Sequence, residues 1–158
     1  SAAGVKIELI IRGICCLKVG IPHISENISV RSIVGNFLEH ARIFYFYNDG
    51  AEELYMGSAD WMPRNLDKRV EIVFPLKDEK IKQQAKHILD IQLADNLKAH
   101  ILQPDGSYEK IDKRGKKTLI CAQDYFCEEA VKNAKQPTDP VLDHVFIPAE
   151  AGIFSDRD

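Results

Sequence analysis

An α/β fold, a mixed β-sheet flanked by helices, follows from three features of the sequence. Short β-branched and aromatic runs at 5–12, 42–47, 54–58, 69–76 and 98–103 recur between turn residues. Such side chains suit a pleated, half-buried surface, so these runs read as strands. Two longer stretches, 78–95 and 123–134, carry apolar residues at helical spacing instead. Length sets the scale: 158 residues, 45% of them hydrophobic, predict one domain around one sizeable core.

In chain order, Val5, Ile7, Leu9, Ile10 and Ile11 alternate and then run together, the pattern of a strand buried on both faces. Gly4 suits the C-cap of a helix ahead of that strand, so the chain is expected to be a fragment cut within or just after a helix. Gly13, the Gly20-Ile21-Pro22 turn and Ser25-Glu26-Asn27 make a long loop. Arg12 therefore stands beyond the carboxyl end of the first strand, where open α/β sheets bind ligands. Residues 28–34 fit a short strand or a helical turn equally well.

His40 and Arg42 come next, two apart at the mouth of an aromatic run. On an extended segment they share one face, because strand side chains repeat with period two. That makes a candidate anion site, with Arg12 and Gly57-Ser58-Ala59-Asp60 as its expected partners. The aromatics Phe44 to Tyr47 are read as alternating strand packing, and Asn48-Asp49-Gly50 as a turn. Trp61 is expected to anchor its loop on the core. Ile81, Ala85, Ile88, Leu89 and Gln92 share one face of the 78–95 helix, with His87 a solvated residue upon it.

A hairpin is expected at 98–111 around Pro104-Asp105-Gly106-Ser107. The Lys113-Arg114-Gly115-Lys116-Lys117 cluster reads as a solvated turn. The 123–134 helix closes a domain over 1–135. Beyond it, 136–158 holds three prolines, no periodicity and an acidic bias, which reads as a tail.

Composition narrows the function classes. A net charge of −3 argues against general nucleic-acid binding, so no nucleic acid is expected as a partner. No apolar run of about 18 residues predicts a transmembrane segment, and the N-terminus lacks the pattern of a signal peptide. Cys15, Cys16, Cys121 and Cys127 fit neither a disulfide framework nor a usual zinc spacing. They are expected as buried, reduced thiols in the cytoplasm.

Several blocks then carry a resemblance. Ile11-Arg12-Gly13-Ile14-Cys15-Cys16-Leu17, Ser25-Glu26-Asn27-Ile28, Val30-Arg31-Ser32-Ile33-Val34-Gly35, Phe37-Leu38-Glu39-His40 and Ser58-Ala59-Asp60-Trp61-Met62-Pro63-Arg64-Asn65-Leu66-Asp67 closely resemble the C-terminal part of bacterial polyphosphate kinase. The likeness is dense over 5–76, thins through 98–108, and is not seen after Phe126. It implies a fold like one half of a phospholipase D pair. It also implies an enzyme that reversibly transfers the γ-phosphate of ATP to polyphosphate through a phosphohistidine outside this chain. By the same resemblance, Arg12 matches an ATP-contacting arginine and His40 a second active-site histidine that also contacts ATP. Mg2+ is implied as cofactor with ligands outside this chain. The implied partners are ATP or ADP, inorganic polyphosphate, the preceding domains of the same polypeptide, and further copies in a homo-oligomer.

Elementary chemistry agrees with those roles. Phosphoryl transfer needs positioning and cations around the phosphoryl oxygens; arginine offers a planar fork, and a histidine can act as acid near neutral pH. Arg31, Arg42 and Arg64 are the further candidates for lining a polyphosphate path. His23 and Asn36 stand where the family commonly has glycine and arginine, which removes one expected contact to that path. Two alternatives come from other classes. A phospholipase D-like phosphodiesterase or nuclease is marked by His-x-Lys-x4-Asp; here Arg42 replaces the lysine and Tyr47 the aspartate. A non-catalytic polyanion-binding module is the other. The chain alone is expected to be inactive, because its site is shared with a missing domain.

Overall fold

The computed structural model describes residues 1–112, 114 and 118–135. The tail at 136–158 and four members of the Lys113 to Lys117 cluster lie outside the described residues.

The strands gather into two sheets rather than one. The first, in order β1-β2-β6-β7, is mixed. In it β1 (Ile7–Ile10) runs parallel to β2 (Ile28–Ile33), while β2 pairs antiparallel with β6 (Ala99–Leu102) and β6 with β7 (Tyr108–Lys110). The second is antiparallel, β3 (Ile43–Phe46), β4 (Glu53–Gly57) and β5 (Val73–Pro75). Helices α1 (Pro63–Leu66), α2 (Glu79–Ala94) and α3 (Ala122–Ala134) complete the α/β fold. The 28–34 ambiguity resolves as strand, because β2 is the only element hydrogen-bonded to both β1 and β6.

Three sequence expectations are corrected by this arrangement. The strand at β1 is not buried on both faces: it lies at a sheet edge, and Glu8 points to solvent. The 69–76 strand shrinks to three residues at the edge of its sheet, where Pro75, without an N–H, can be tolerated; Val70 is 99% exposed. The single core divides into two small clusters, one per sheet. Val19, Val30 and Leu102 form the first, and Leu54, Leu76 and Ala85 the second, where α2 covers β3 and β4. Large apolar side chains such as Ile14, Val34, Phe37, Leu38 and Trp61 stay exposed.

Local chemistry explains the element ends. Asp78 caps α2 by accepting from the Ile81 N–H at 3.0 Å. Asn48, Asp49 and Gly50 all take positive φ, so the turn joining β3 to β4 is left-handed, as an Asn-Asp-Gly run allows. At the hairpin tip, Asp105 Oδ1 accepts from the Ser107 N–H and hydroxyl, and Gly106 has φ +89°.

Candidate functional site

Arg12 leaves the sheet just past β1. The Ile11 N–H still bonds the Arg31 carbonyl, and the Ser32 hydroxyl donates to the Arg12 carbonyl at 3.1 Å. From there the guanidinium reaches across 27 positions of sequence, and its Nη1 donates to the Glu39 carbonyl at 3.0 Å. His40 is the next residue. Its side chain is exposed, and its imidazole has no hydrogen bond or ion pair among the described residues. Residues 34–42, between β2 and β3, have no regular secondary structure. The extended segment expected there is replaced by one that is held from outside.

Arg42 does part of that holding. Its Nη1 turns back to donate to the His40 carbonyl at 2.8 Å, while Nε and Nη2 lie 3.1 and 2.9 Å from Asp60 Oδ1. The carbonyls of residues 39 and 40 are thus both held by guanidinium groups, from Arg12 and Arg42. Asp60 neutralises Arg42, whereas Arg12 is exposed and has no ion pair among the described residues, and its bond to the Glu39 carbonyl leaves further N–H donors of its fork. Asp60 is itself tied to α1: its carbonyl accepts from Asn65 Nδ2 at 3.0 Å. The structure brings Arg12 to the Glu39 carbonyl, and brings Asp60 of the Ser58-Ala59-Asp60 loop to the His40 segment through Arg42.

Two path candidates have partners of their own. Arg31 donates through Nη1 to the Leu93 carbonyl, one of the carbonyls left free at the end of α2. Burial pulls its pKa down against the opposing influence of Glu8 and Asp95. Its guanidinium is half-buried and tied at one nitrogen to a helix end. Arg42 is likewise spent as a brace, with its side chain only 23% exposed. Arg64 differs: it is exposed on α1 without a partner among the described residues.

Sequence reasoning missed the support beneath His40. Gln123, 7% exposed at the start of α3, accepts from the Phe37 N–H through Oε1 (3.0 Å). It donates through Nε2 to the Phe37 carbonyl and to Glu39 Oε1, both at 2.8 Å. Gln92 of α2 donates to the other oxygen of Glu39. Asp95, 1% exposed, accepts through Oδ1 from the N–H groups of Leu97, Lys98 and Ala99 and through Oδ2 from that of Ala122. It therefore joins the end of α2, the start of β6 and the start of α3. One signal was in plain view: Gln92 is a polar residue on the apolar face of its helix.

Other side chains depart from their expected roles. His87 bridges to Glu129 of α3 through Nε2 at 2.9 Å rather than standing free in solvent. Trp61 stacks on Phe44 at 5.3 Å, yet 73% of it is exposed. All four cysteines are free thiols, but only Cys121 is buried, and that burial pushes its pKa up. Among the described residues no group of three or more His, Cys, Asp or Glu gathers to hold a metal. Of the carboxylates around the His40 segment, Glu39 is held by Gln92 and Gln123, and Asp60 by Arg42, an arrangement that does not suit a resident Mg2+ among the described residues. No helix among the described residues is long and apolar enough to cross a membrane.

The family described as polyphosphate kinase C-terminal domain 2 matches residues 1–123. The polyphosphate kinase of Lactiplantibacillus plantarum is 50% identical over 151 residues, covering 94% of this chain and 21% of that protein. That of Pseudomonas aeruginosa is 56% identical over 115 residues, 73% of this chain and 17% of its own. The crystal structure of polyphosphate kinase from Porphyromonas gingivalis superposes with a TM-score of 0.77 at 39% identity, over 84% of this chain and 20% of that one. The chain thus spans about one-fifth of the length of these relatives. With 94% of the chain aligned to the first relative, the likeness also extends past Phe126, where residue-by-residue reading found none.

Proposed function

The chain belongs to the polyphosphate kinase C-terminal domain 2 family, and from that premise we propose that it supplies the Arg12 and His40 half of an active site that reversibly transfers the ATP γ-phosphate to inorganic polyphosphate. The observation that carries this reading is the bond from Arg12 to the Glu39 carbonyl, which brings an exposed guanidinium to the backbone of the residue before His40, whose imidazole has no hydrogen bond or ion pair among the described residues. Arg12 offers its fork to phosphate oxygens and balances the charge that spreads over them in transfer. His40 donates a proton or hydrogen bond to the leaving phosphate oxygen. Arg64, exposed and unpaired, is the remaining path-lining candidate.

The phosphorylated histidine and the magnesium ligands belong, in this reading, to a preceding domain of the same polypeptide. Two observations support a shared site. The relatives are about five times longer than the matched region. The apolar side chains of Val34, Phe37 and Leu38, on the His40 segment, are 62%, 58% and 70% exposed, a patch that a neighbouring domain would cover. Free thiols at all four cysteines are in keeping with the cytoplasm. Nothing favours the phospholipase D-like hydrolase: Arg42, at the place of that pattern's lysine, is consumed by Asp60 and a carbonyl.

His40→Ala and Arg12→Ala in the full-length protein test the reading, assayed for polyphosphate synthesis and for ATP formation. Because the transfer is reversible, each substitution should depress both directions. Loss of only one direction, or of neither, counts against it.

A further inference from the structure

The segment that presents His40 is tied to a sheet at its far end, where the Arg42 carbonyl accepts from the Gly57 N–H of β4 at 3.0 Å; residues 37–39 are held by side chains instead. We propose that Gln123, seconded by Gln92, is a positioning residue for the phosphoryl transfer, a carboxamide clamp that holds residues 37–39 from the core side and so keeps His40 against Arg12; this rests on the function proposed above.

Gln123 treats Phe37 as a neighbouring strand would, accepting from its N–H and donating to its carbonyl, at 3.0 and 2.8 Å. The second Nε2 hydrogen goes to Glu39 Oε1 at 2.8 Å, and Gln92 takes Oε2. Glu39 is therefore gripped at both carboxylate oxygens by amides from two helices, while its own carbonyl receives Arg12. Only a carboxamide can do this: lysine or arginine cannot accept the Phe37 N–H, and glutamate cannot donate to Glu39. Both glutamines are nearly sealed, at 7% and 9% exposure, so bonds lost there are not regained from water.

Two further observations show that the clamp is built into the fold. A Cβ at Gly35 would collide with the Gln123 carboxamide, so the chain passes against it more closely than any other residue permits. The start of α3, on which Gln123 sits, is pinned by the 2.7 Å bond from the Ala122 N–H to the buried Asp95. The clamp thus runs from an immobile carboxylate to the residue before His40.

The test uses the full-length protein. Gln123→Glu keeps an oxygen for the Phe37 N–H, removes both donations, and faces Glu39 with a second carboxylate. It should lower kcat for polyphosphate synthesis on the order of 10²-fold, as a misplaced catalytic group does, with a much smaller change in KM for ATP. The reciprocal exchange, Glu39→Gln with Gln123→Glu, returns a donor to position 39 and keeps an acceptor for Gln92, and should recover most of that loss. Independently of activity, Gln123→Leu should speed hydrogen exchange at the Phe37 amide roughly tenfold or more, read by mass spectrometry. An active wild type with unchanged kcat in Gln123→Glu, or a loss that the reciprocal exchange leaves uncorrected, overturns the clamp alone. A wild type that makes no polyphosphate overturns the function, and is distinguished by that result.

Discussion

At the scale of single residues, the division of labour among the arginines decides the site. Arg12, Arg31 and Arg42 are all arginines near one segment, but Arg31 is spent on the Leu93 carbonyl and Arg42 on Asp60 and the His40 carbonyl. Arg12, like Arg31, gives one bond to a carbonyl, but it is the one of these three arginines that is exposed and without an ion pair among the described residues. His40→Ala should reduce turnover by ~10²–10⁴, the range for a positioned general acid, measured by initial rates of synthesis. Arg12→Lys keeps the charge and loses the fork, so it should rescue only part of the Arg12→Ala loss. Tyr45 offers a separate check on packing. Its hydroxyl donates to Glu52 Oε1 at 2.6 Å, and chiefly through that bond its pKa is pushed up to about 12. Because the folded value lies above the ordinary phenol, the associated stability is fully present below the unfolded pKa near 10 and is lost as pH rises through about 12. A spectrophotometric phenolate titration should show a tyrosine titrating at about 12 that Tyr45→Phe abolishes.

Among elements, the junction of α2 and α3 shows which contact matters. His87 and Glu129 join the two helices, but their side chains are 40% and 37% exposed. A pair so wet contributes ~0–1 kcal/mol, so His87→Ala should barely move the denaturant midpoint. Asp95 is different: four backbone N–H groups converge on one buried carboxylate. Asp95→Asn would set an amide donor against one of them, at a cost of ~2 kcal/mol or more in the same unfolding experiment. The sequence made α2 legible as a helix over 78–95, against the observed Glu79–Ala94, because helical spacing is local. It made Asp95 illegible, because the start of α3, whose Ala122 N–H completes the set of donors, reaches that carboxylate only through tertiary structure. The same holds for β5, where the 69–76 run looked like a full strand until its edge position and Pro75 limited pairing to three residues. Arg12 and His40 were readable for another reason: long blocks of family sequence surround both, whereas which arginines are consumed depends on the strand face and on the helix behind it.

For the molecule as a whole, two small cores replace the single one that length suggested. The exposed Ile14, Leu38, Trp61 and Val70 are the apolar surface that the proposed shared site would have a neighbouring domain cover. The isolated chain should accordingly bind ATP or polyphosphate weakly or not at all by calorimetry and should show no kinase activity; robust synthesis by these residues alone would refute a shared site. The central claim is that one guanidinium and one imidazole act together, and a double-mutant cycle on Arg12→Ala and His40→Ala in the full-length protein measures it most directly. Residues acting as a unit are non-additive, so the double variant should lose little beyond the worse single variant in kcat/KM for synthesis. Single losses that simply multiply in the double variant, or singles that retain wild-type activity, would contradict it.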